Sequence, residues 1–339
     1  MSDPKQYTVG WICALPIEHT AARQFLDQEH DSPDVLAASD TNTYTLGEIA
    51  GHNVVIAVLP RGEYGLSSAS SVATNMLHSF PNIRVGLMVG IGGGAPSPDN
   101  DVRLGDIVVS VPKDGTGGVF QFDFGKDIQD QEFRPTAHTN QPPQAALTAI
   151  SKLESTYESV GHQIDESIET ILDKKPRLKK RYKRPDQDSD CLYISTVVHP
   201  EGCENQSCEG LCDTQPLNII IRAPRETQDD NPTVHYGLIA SSNTLMKNAL
   251  VRDSLAGTGI LCFEMEAAGL MNRFPCLVVR GICDYSDTHK NKDWQGYAAM
   301  AAAAYTKDLL RVMVPRRVES EGKLADVLGN REYTAYSTG

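Results

Sequence analysis

No apolar run in this 339-residue chain approaches the roughly 20 residues that a membrane-spanning helix needs. Positive charge is scarce too. The chain has 31 Lys and Arg against 44 Asp and Glu, a formal net charge of −13. That balance argues against nucleic acid or an anionic membrane as the main partner. The opening residues, MSDPKQYTVG, have neither the basic stretch nor the apolar core of a secretory signal. Eight cysteines in a chain this long make no disulfide scaffold. Cys13, Cys262, Cys276 and Cys283 fall in apolar, strand-like runs, where a thiol packs as a small hydrophobe. Together these absences lead to the expectation of an intracellular, cytoplasmic protein. At 40% hydrophobic and 22% charged, the composition is that of a globular chain, and its length admits one large α/β domain or two smaller ones.

Short apolar runs rich in strand formers alternate with helical periodicity. YTVGWICAL reads as a strand, and PIEHTAARQFLDQ, with Pro16 at its start, as a helix. NTYTLGEIAGHNVVIAVLP reads as a hairpin turning at AGHN. GLSSASSVATNMLHSF is a helix of small residues, IRVGLMVGIGGG a buried strand running into a glycine loop, and LGDIVVSVP another strand. From Pro142, apolar residues at spacings of three and four predict one long helix through Ile171. KKPRLKKRYKR (174–184) could be a nuclear signal or a partner patch; the plainer reading is a solvated loop. Residues from about 185 to 231 are polar, with Asp, Pro and Cys and only weak periodicity, so 174–231 is expected to be a polar insertion or long loop, partly disordered. VHYGLIAS, GILCFE and CLVVRGICD are then strands; NTLMKNALVRDSLA, MEAAGLMNRF and DWQGYAAMAAAAYTKDLLRVM are helices. The alternation predicts a single three-layer α/β/α domain on a central, mostly parallel mixed sheet, spanning 7–314. The charged tail, 315–339, is expected to be peripheral.

Two motifs point away from themselves. Gly90-Ile91-Gly92-Gly93-Gly94-Ala95 fits a loose G-x-G-x-x-A, but PSPDNDV follows, and no helix can start there to receive a pyrophosphate. Dinucleotide binding is therefore rejected, leaving a bare glycine loop that a ligand can approach closely. Cys203, Cys208 and Cys212, with Cys191, could bind zinc. Their C-x4-C-x3-C spacing is not the paired C-x2-C of strong sites, so free loop thiols or a disulfide compete with that reading. Glu18, in the first turn of a helix, reads on periodicity alone as a favourable charge–dipole contact.

An ordered set of five segments changes that reading: GWICALPIE, GIGGGA…LGDIVVS, GLIASSNTLM, CFEMEAAG and VVRGICDYSD. The chain resembles the nucleoside phosphorylase and nucleosidase superfamily, particularly its fungal members, over most of residues 7–314 outside the insertion. The resemblance implies a nucleoside phosphorylase-like fold and a purine nucleoside substrate. It implies that Met265 packs on the ribose and Glu266 holds the 2′- and 3′-hydroxyls, while Glu264 is a strand-end residue. It makes Asp284 the acid that protonates the purine at N7, with Cys283 where relatives have Ser. It makes Glu18 the base on the attacking water, and Ile91 and Gly92 the nearest contacts of the glycine loop.

Leu245, followed by Met246, stands where the bacterial methylthioadenosine/adenosylhomocysteine nucleosidases carry a base-stacking Phe. Stacking then passes to Trp294, for which core packing is the competing reading. These departures favour a plain purine ribonucleoside such as inosine, adenosine or guanosine. The Gly-x-Arg and the hydroxyl that hexameric phosphorylases use for phosphate are missing, and Arg61 stands alone. Hydrolysis to free base and ribose is therefore expected, with neither cofactor nor metal, in a homodimer or larger oligomer. A phosphorylase, or a module that senses nucleosides without turnover, is the alternative. No repeat or nucleotide-switch motif follows the domain, which favours a free-standing enzyme.

Overall fold

The structure is a computed structural model that describes residues 2–130, 134–202, 208, 211–212, 216–226, 228–290 and 292–326. The elements are, in order, β1 (Val9–Cys13), α1 (Pro16–Gln24), β2 (Gln28–His30), β3 (Tyr44–Ile49), β4 (His52–Val58), α2 (Leu66–Ser79), β5 (Val85–Gly94), β6 (Ile107–Ser110) and β7 (Val119–Gln121). A two-residue pair, β8 (Gly125–Lys126) and β9 (Arg134–Pro135), stands apart from the main sheet. Then follow α3 (Gln144–Val160), α4 (Ile164–Lys174), α5 (Pro176–Tyr182), β10 (Val234–Ser241), α6 (Ala249–Ala256), β11 (Ile260–Glu264), α7 (Ala267–Leu270), β12 (Cys276–Asp284), α8 (Gln295–Val312) and α9 (Pro315–Ser320).

The central sheet runs β11-β10-β6-β12-β5-β1-β4-β3-β2, with β7 beside β10. It is mixed. β1 is parallel to both β4 and β5, and β12 is parallel to β5, whereas β12 and β6 are antiparallel. The sheet also curls back on itself: β11 pairs antiparallel with the end of β5, setting Cys262 opposite Gly94 and Phe263 opposite Gly93. All residues of β1 and β12 are buried, which is why their sequences read as unbroken apolar runs. Helices α1, α3, α4 and α5 gather around α8, which lies on β12 and β5, while α2 packs on α7. The alanine face of α8 lets it come close: a Cβ on Gly281 would sit 1.9 Å from the carbonyl oxygen of Ala298.

Several expectations need correction. The long helix from 142 is two helices, α3 and α4, broken at Gly161, whose φ of +71° a helix cannot hold. The basic stretch at 174–184 is not a loop but contains α5, with Lys179, Lys180 and Arg181 in its last turn, where cations suit the helix dipole. The described parts of 174–231 are tied to the body: Arg225 grips the fully buried Asp106, and Arg222 bonds Asp190 and Tyr285. The glycines at 90–94 continue β5 rather than forming a loop after it. The helix expected from Asn243 begins only at Ala249, capped by the Asn248 side chain. The described part of the tail docks through buried Val318 and Leu324. Among the described residues, no helix is long and apolar enough to cross a membrane.

Candidate active site

Arg280 is the centre of the site. It lies in the middle of β12 with no exposed surface. A guanidinium never gives up its charge, so burying one is costly unless acids surround it. Three do. Its Nη2 bonds Glu264 and lies 3.3 Å from the Glu266 carboxylate, and its Nη1 lies 3.9 Å from Glu18. The same Nη1 donates to the Ile91 carbonyl at 3.3 Å. Three carboxylates against one cation leave an excess of negative charge in a dry place. Burial pushes the Glu266 carboxyl up to about 7; Arg280 opposes the rise, and Glu264 and Glu18 add to it. Burial also raises Glu18, against the pull of Arg280 and of its backbone donors.

Those donors fix Glu18 in one position. Its Oε2 accepts the amides of Ala14 (2.7 Å) and Leu15 (2.9 Å), and its Oε1 accepts that of Ile91 (2.8 Å). β1 ends at Cys13 and α1 starts at Pro16, so the strand-to-helix turn delivers these amides to a carboxylate on the first turn of α1. The bond to Ile91 ties α1 to β5. Glu264 is more than the strand-end residue expected. Besides holding Arg280, it accepts the amides of Glu266 and Ala267 and so fastens the start of α7. Glu266 is the residue just before that helix, and its side chain caps no amide of it; its carboxylate faces Arg280 instead.

Asp284 ends β12. Its Oδ1 accepts the amide of Ser286 at 2.9 Å, the Cys283 thiol lies 3.2 Å from its Oδ2, and the Lys290 ammonium is 2.8 Å from the same oxygen. Burial disfavours the Lys290 charge, but the pairing with Asp284 outweighs it and raises the pKa.

The glycines of β5 make room for these acids. A Cβ on Gly90 would lie 2.3 Å from Glu18 Oε1 and 2.6 Å from Arg280 Nη1. One on Gly93 would lie 2.2 Å from Ser286 Oγ and 2.6 Å from Asp284 Oδ1. The bare backbone expected to admit a ligand thus first admits the protein's own catalytic candidates. The curl of β11 over β5 then brings Met265 and Glu266 back across the same strand end. A small cavity of about 20 Å³ remains there, bounded by Gly93, Leu245, Met246, Met265, Ser286 and Lys290.

This architecture has known counterparts. The 5′-methylthioadenosine/S-adenosylhomocysteine nucleosidase of Neisseria meningitidis, in complex with methylthio-immucillin-A, superposes with a TM-score of 0.53 at 14% identity, over 90% of this chain and 98% of that one. The S. pneumoniae enzyme, with a transition-state inhibitor, gives 0.52 at 16% identity, over 91% and 100%. Futalosine hydrolase of Helicobacter pylori gives 0.50 at 13%, over 90% and 97%. The chain shares its fold with these nucleosidases and with futalosine hydrolase.

No family model matches the chain. Among curated proteins, a nucleotide-binding leucine-rich repeat (NLR)-like protein of Hyaloscypha variabilis is 45% identical over 318 residues, 93% of this chain. The chain spans 30% of the length of that relative.

Within the nucleosidase fold, the residues expected at the site come together with one exception. Glu18, Ile91 and Glu266 converge on Arg280, Gly92 packs against the Arg280 side chain, and Leu245, Met246 and Met265 border the cavity together with Lys290, the partner of Asp284. Trp294 does not join them. It is fully buried, edge-on to Tyr297, with its indole N–H donated to Ser189 at 3.0 Å. It offers no face to a base, so the core role weighed against stacking is the one seen. Arg280 and Lys290 were missed. Arg280 carried a signal, because a lone Arg inside CLVVRGICD must be paired wherever that strand is buried. Lys290, in the polar run THKNKD, carried none.

Proposed function

We propose that this site hydrolyses the N-glycosidic bond of purine ribonucleosides. The observation that carries the reading is the shared cation: Glu18 and Glu266 are set around one buried Arg280, with Asp284 at the end of the same strand. Glu266 accepts the two vicinal ribose hydroxyls, which a carboxylate can do at once. Glu18 takes a proton from water as the water oxygen bonds C1′. The C1′–N9 bond breaks with its electron pair moving to the purine. A proton from the Asp284–Lys290 pair reaches N7, so the base leaves neutral. Solvent returns one proton to the pair and removes one from Glu18. The surplus of carboxylates favours the positive charge that develops on the sugar. The same surplus opposes a phosphate dianion as nucleophile, and Arg61, the lone cation considered for it, is exposed on the turn after β4.

The cavity has room for about one water, so a nucleoside enters only when the residues over it move. Leu245 is 46% exposed in the irregular stretch before α6, and Lys290 must leave or share Asp284. Asp284→Asn keeps the shape but loses the acid. The expected outcome is a kcat loss of roughly 10²- to 10⁴-fold on inosine, and a much smaller loss on a nitrophenyl riboside, whose leaving group needs no proton. Equal losses on both would contradict the role given to Asp284.

A second reading draws on the NLR-like relative, of which this chain spans 30%. In such a setting the domain would recognise a nucleoside as a signal. Tight binding of inosine with no product formed would select that reading over turnover.

A further inference from the structure

We propose that the chain holds a structural zinc ion between the insertion and the segment after β12, ligated by His199, Cys208, Cys212 and His289. The ligand atoms of His199, Cys212 and His289 all lie within 4.8 Å of one another. His199 Nδ1 is 3.0 Å from Cys212 Sγ and 3.8 Å from Cys208 Sγ. The Cys208 sulfur also lies 3.8 Å from the His289 carbonyl oxygen. A tetrahedral ion with bonds of about 2.0–2.3 Å needs its ligand atoms spaced by roughly 3–4 Å. His199 Nδ1 stands at that spacing from both cysteine sulfurs.

His289 supplies the independent observation. Its ring is 7% exposed, and neither ring nitrogen has a hydrogen bond. The Asp287 carboxylate lies 3.6 Å from its Nδ1. A buried imidazole with both nitrogens unmet is costly, and a metal meets one of them. Its orientation is held for the purpose: Tyr193 stacks flat on the ring, with centroids 3.7 Å apart and planes 9° apart. The backbone of His199 is tied to the same segment, its amide donating to Thr288 Oγ1 at 2.8 Å.

Two thiolates and two imidazoles make the closed donor set that zinc takes in structural sites, with no position left for water. Two of the four proposed ligands are histidines, which the C-x4-C-x3-C spacing of the cysteines does not reveal. Cys191 is turned toward the Asp188 carbonyl instead, and Cys203 lies outside the described residues. The fourth ligand comes from a residue 77 positions beyond Cys212, and only the fold brings it there. The ion would staple the insertion to His289, the neighbour of Lys290. The ion takes no part in the bond-breaking step.

The test measures metal on the whole chain, purified under reducing conditions and desalted without added metal. The expected result is about one zinc per chain, falling to near zero in Cys212→Ser and in His289→Ala, while Cys191→Ser keeps its zinc. A measurement on the unaltered chain guards against variants that fail to fold: cobalt exchanged for zinc should give intense tetrahedral d–d bands with a thiolate charge-transfer band. Chelation of the unaltered chain should lower its thermal midpoint. A folded, unaltered chain that carries no zinc and binds no cobalt through thiolate overturns the proposal, as does a Cys208–Cys212 disulfide in the freshly purified protein.

Discussion

Replacing Glu266 with Gln tests the electrostatic heart of the site without touching substrate. In the folded chain burial pushes the Glu266 carboxyl up to about 7 from an ordinary value of 4.5. Between those two values the native protein holds a proton that the unfolded chain has released. Stability therefore falls as pH rises through this window, by about 1.4 kcal/mol for each unit. The raised value thus contributes stability that is full below pH 4.5 and gone above pH 7, on the order of 3 kcal/mol in all. Glu266 is 6% exposed, so solvent screens little of this. Glu266→Gln cannot titrate. Its stability relative to the unaltered chain should climb from pH 5 to pH 8 by about that amount, read from urea-unfolding midpoints at constant slope. Substrate affinity should move the opposite way. Ribose hydroxyls need the carboxylate, so a riboside inhibitor should bind the unaltered chain more tightly as pH rises through 7 and bind the variant weakly throughout. A stability difference that stays constant from pH 5 to pH 8 would refute the reasoning, because Glu266 would then not be held protonated by its surroundings.

Two further outcomes follow from the geometry. Lys290→Met removes the ammonium 2.8 Å from Asp284; the loss of a charged hydrogen bond worth about 1.5–3 kcal/mol should lower kcat on inosine by roughly 10- to 100-fold, whereas a faster variant would mean that Lys290 blocks the acid. Gly90→Ala drives a methyl group to 2.3 Å from Glu18 Oε1, which the Ile91 amide holds in place; unfolding in urea should show a loss of about 1–3 kcal/mol, and an unchanged midpoint would show that the Glu18 cradle is loose.

Much of the fold was legible because the strands that position the site announce themselves. β1, β5 and β12 are buried on both faces and read as apolar runs, and the hairpin of β3 and β4 turns where AGHN places Ala50 and Gly51 at positive φ. What was misread depended on tertiary neighbours. Periodicity carried through Gly161 because apolar spacing continues on either side of it, and only the backbone shows the break. The glycines of β5 looked like an open loop, since the sequence does not reveal that Glu18 and Asp284 fill the space a Cβ would take. Trp294 stands at the start of α8, as an aromatic there should for stacking, yet its indole is turned inward toward Ser189, in a stretch whose periodicity is weak. Lys290 and His289 become informative only once β12 and the insertion are placed side by side.

The central claim is tested most directly by incubating the purified chain with inosine, adenosine and guanosine, with and without inorganic phosphate, and assaying free ribose against ribose 1-phosphate. The account predicts free ribose and free base at a rate that phosphate does not change. Strict dependence on phosphate, with ribose 1-phosphate as the product, would contradict it.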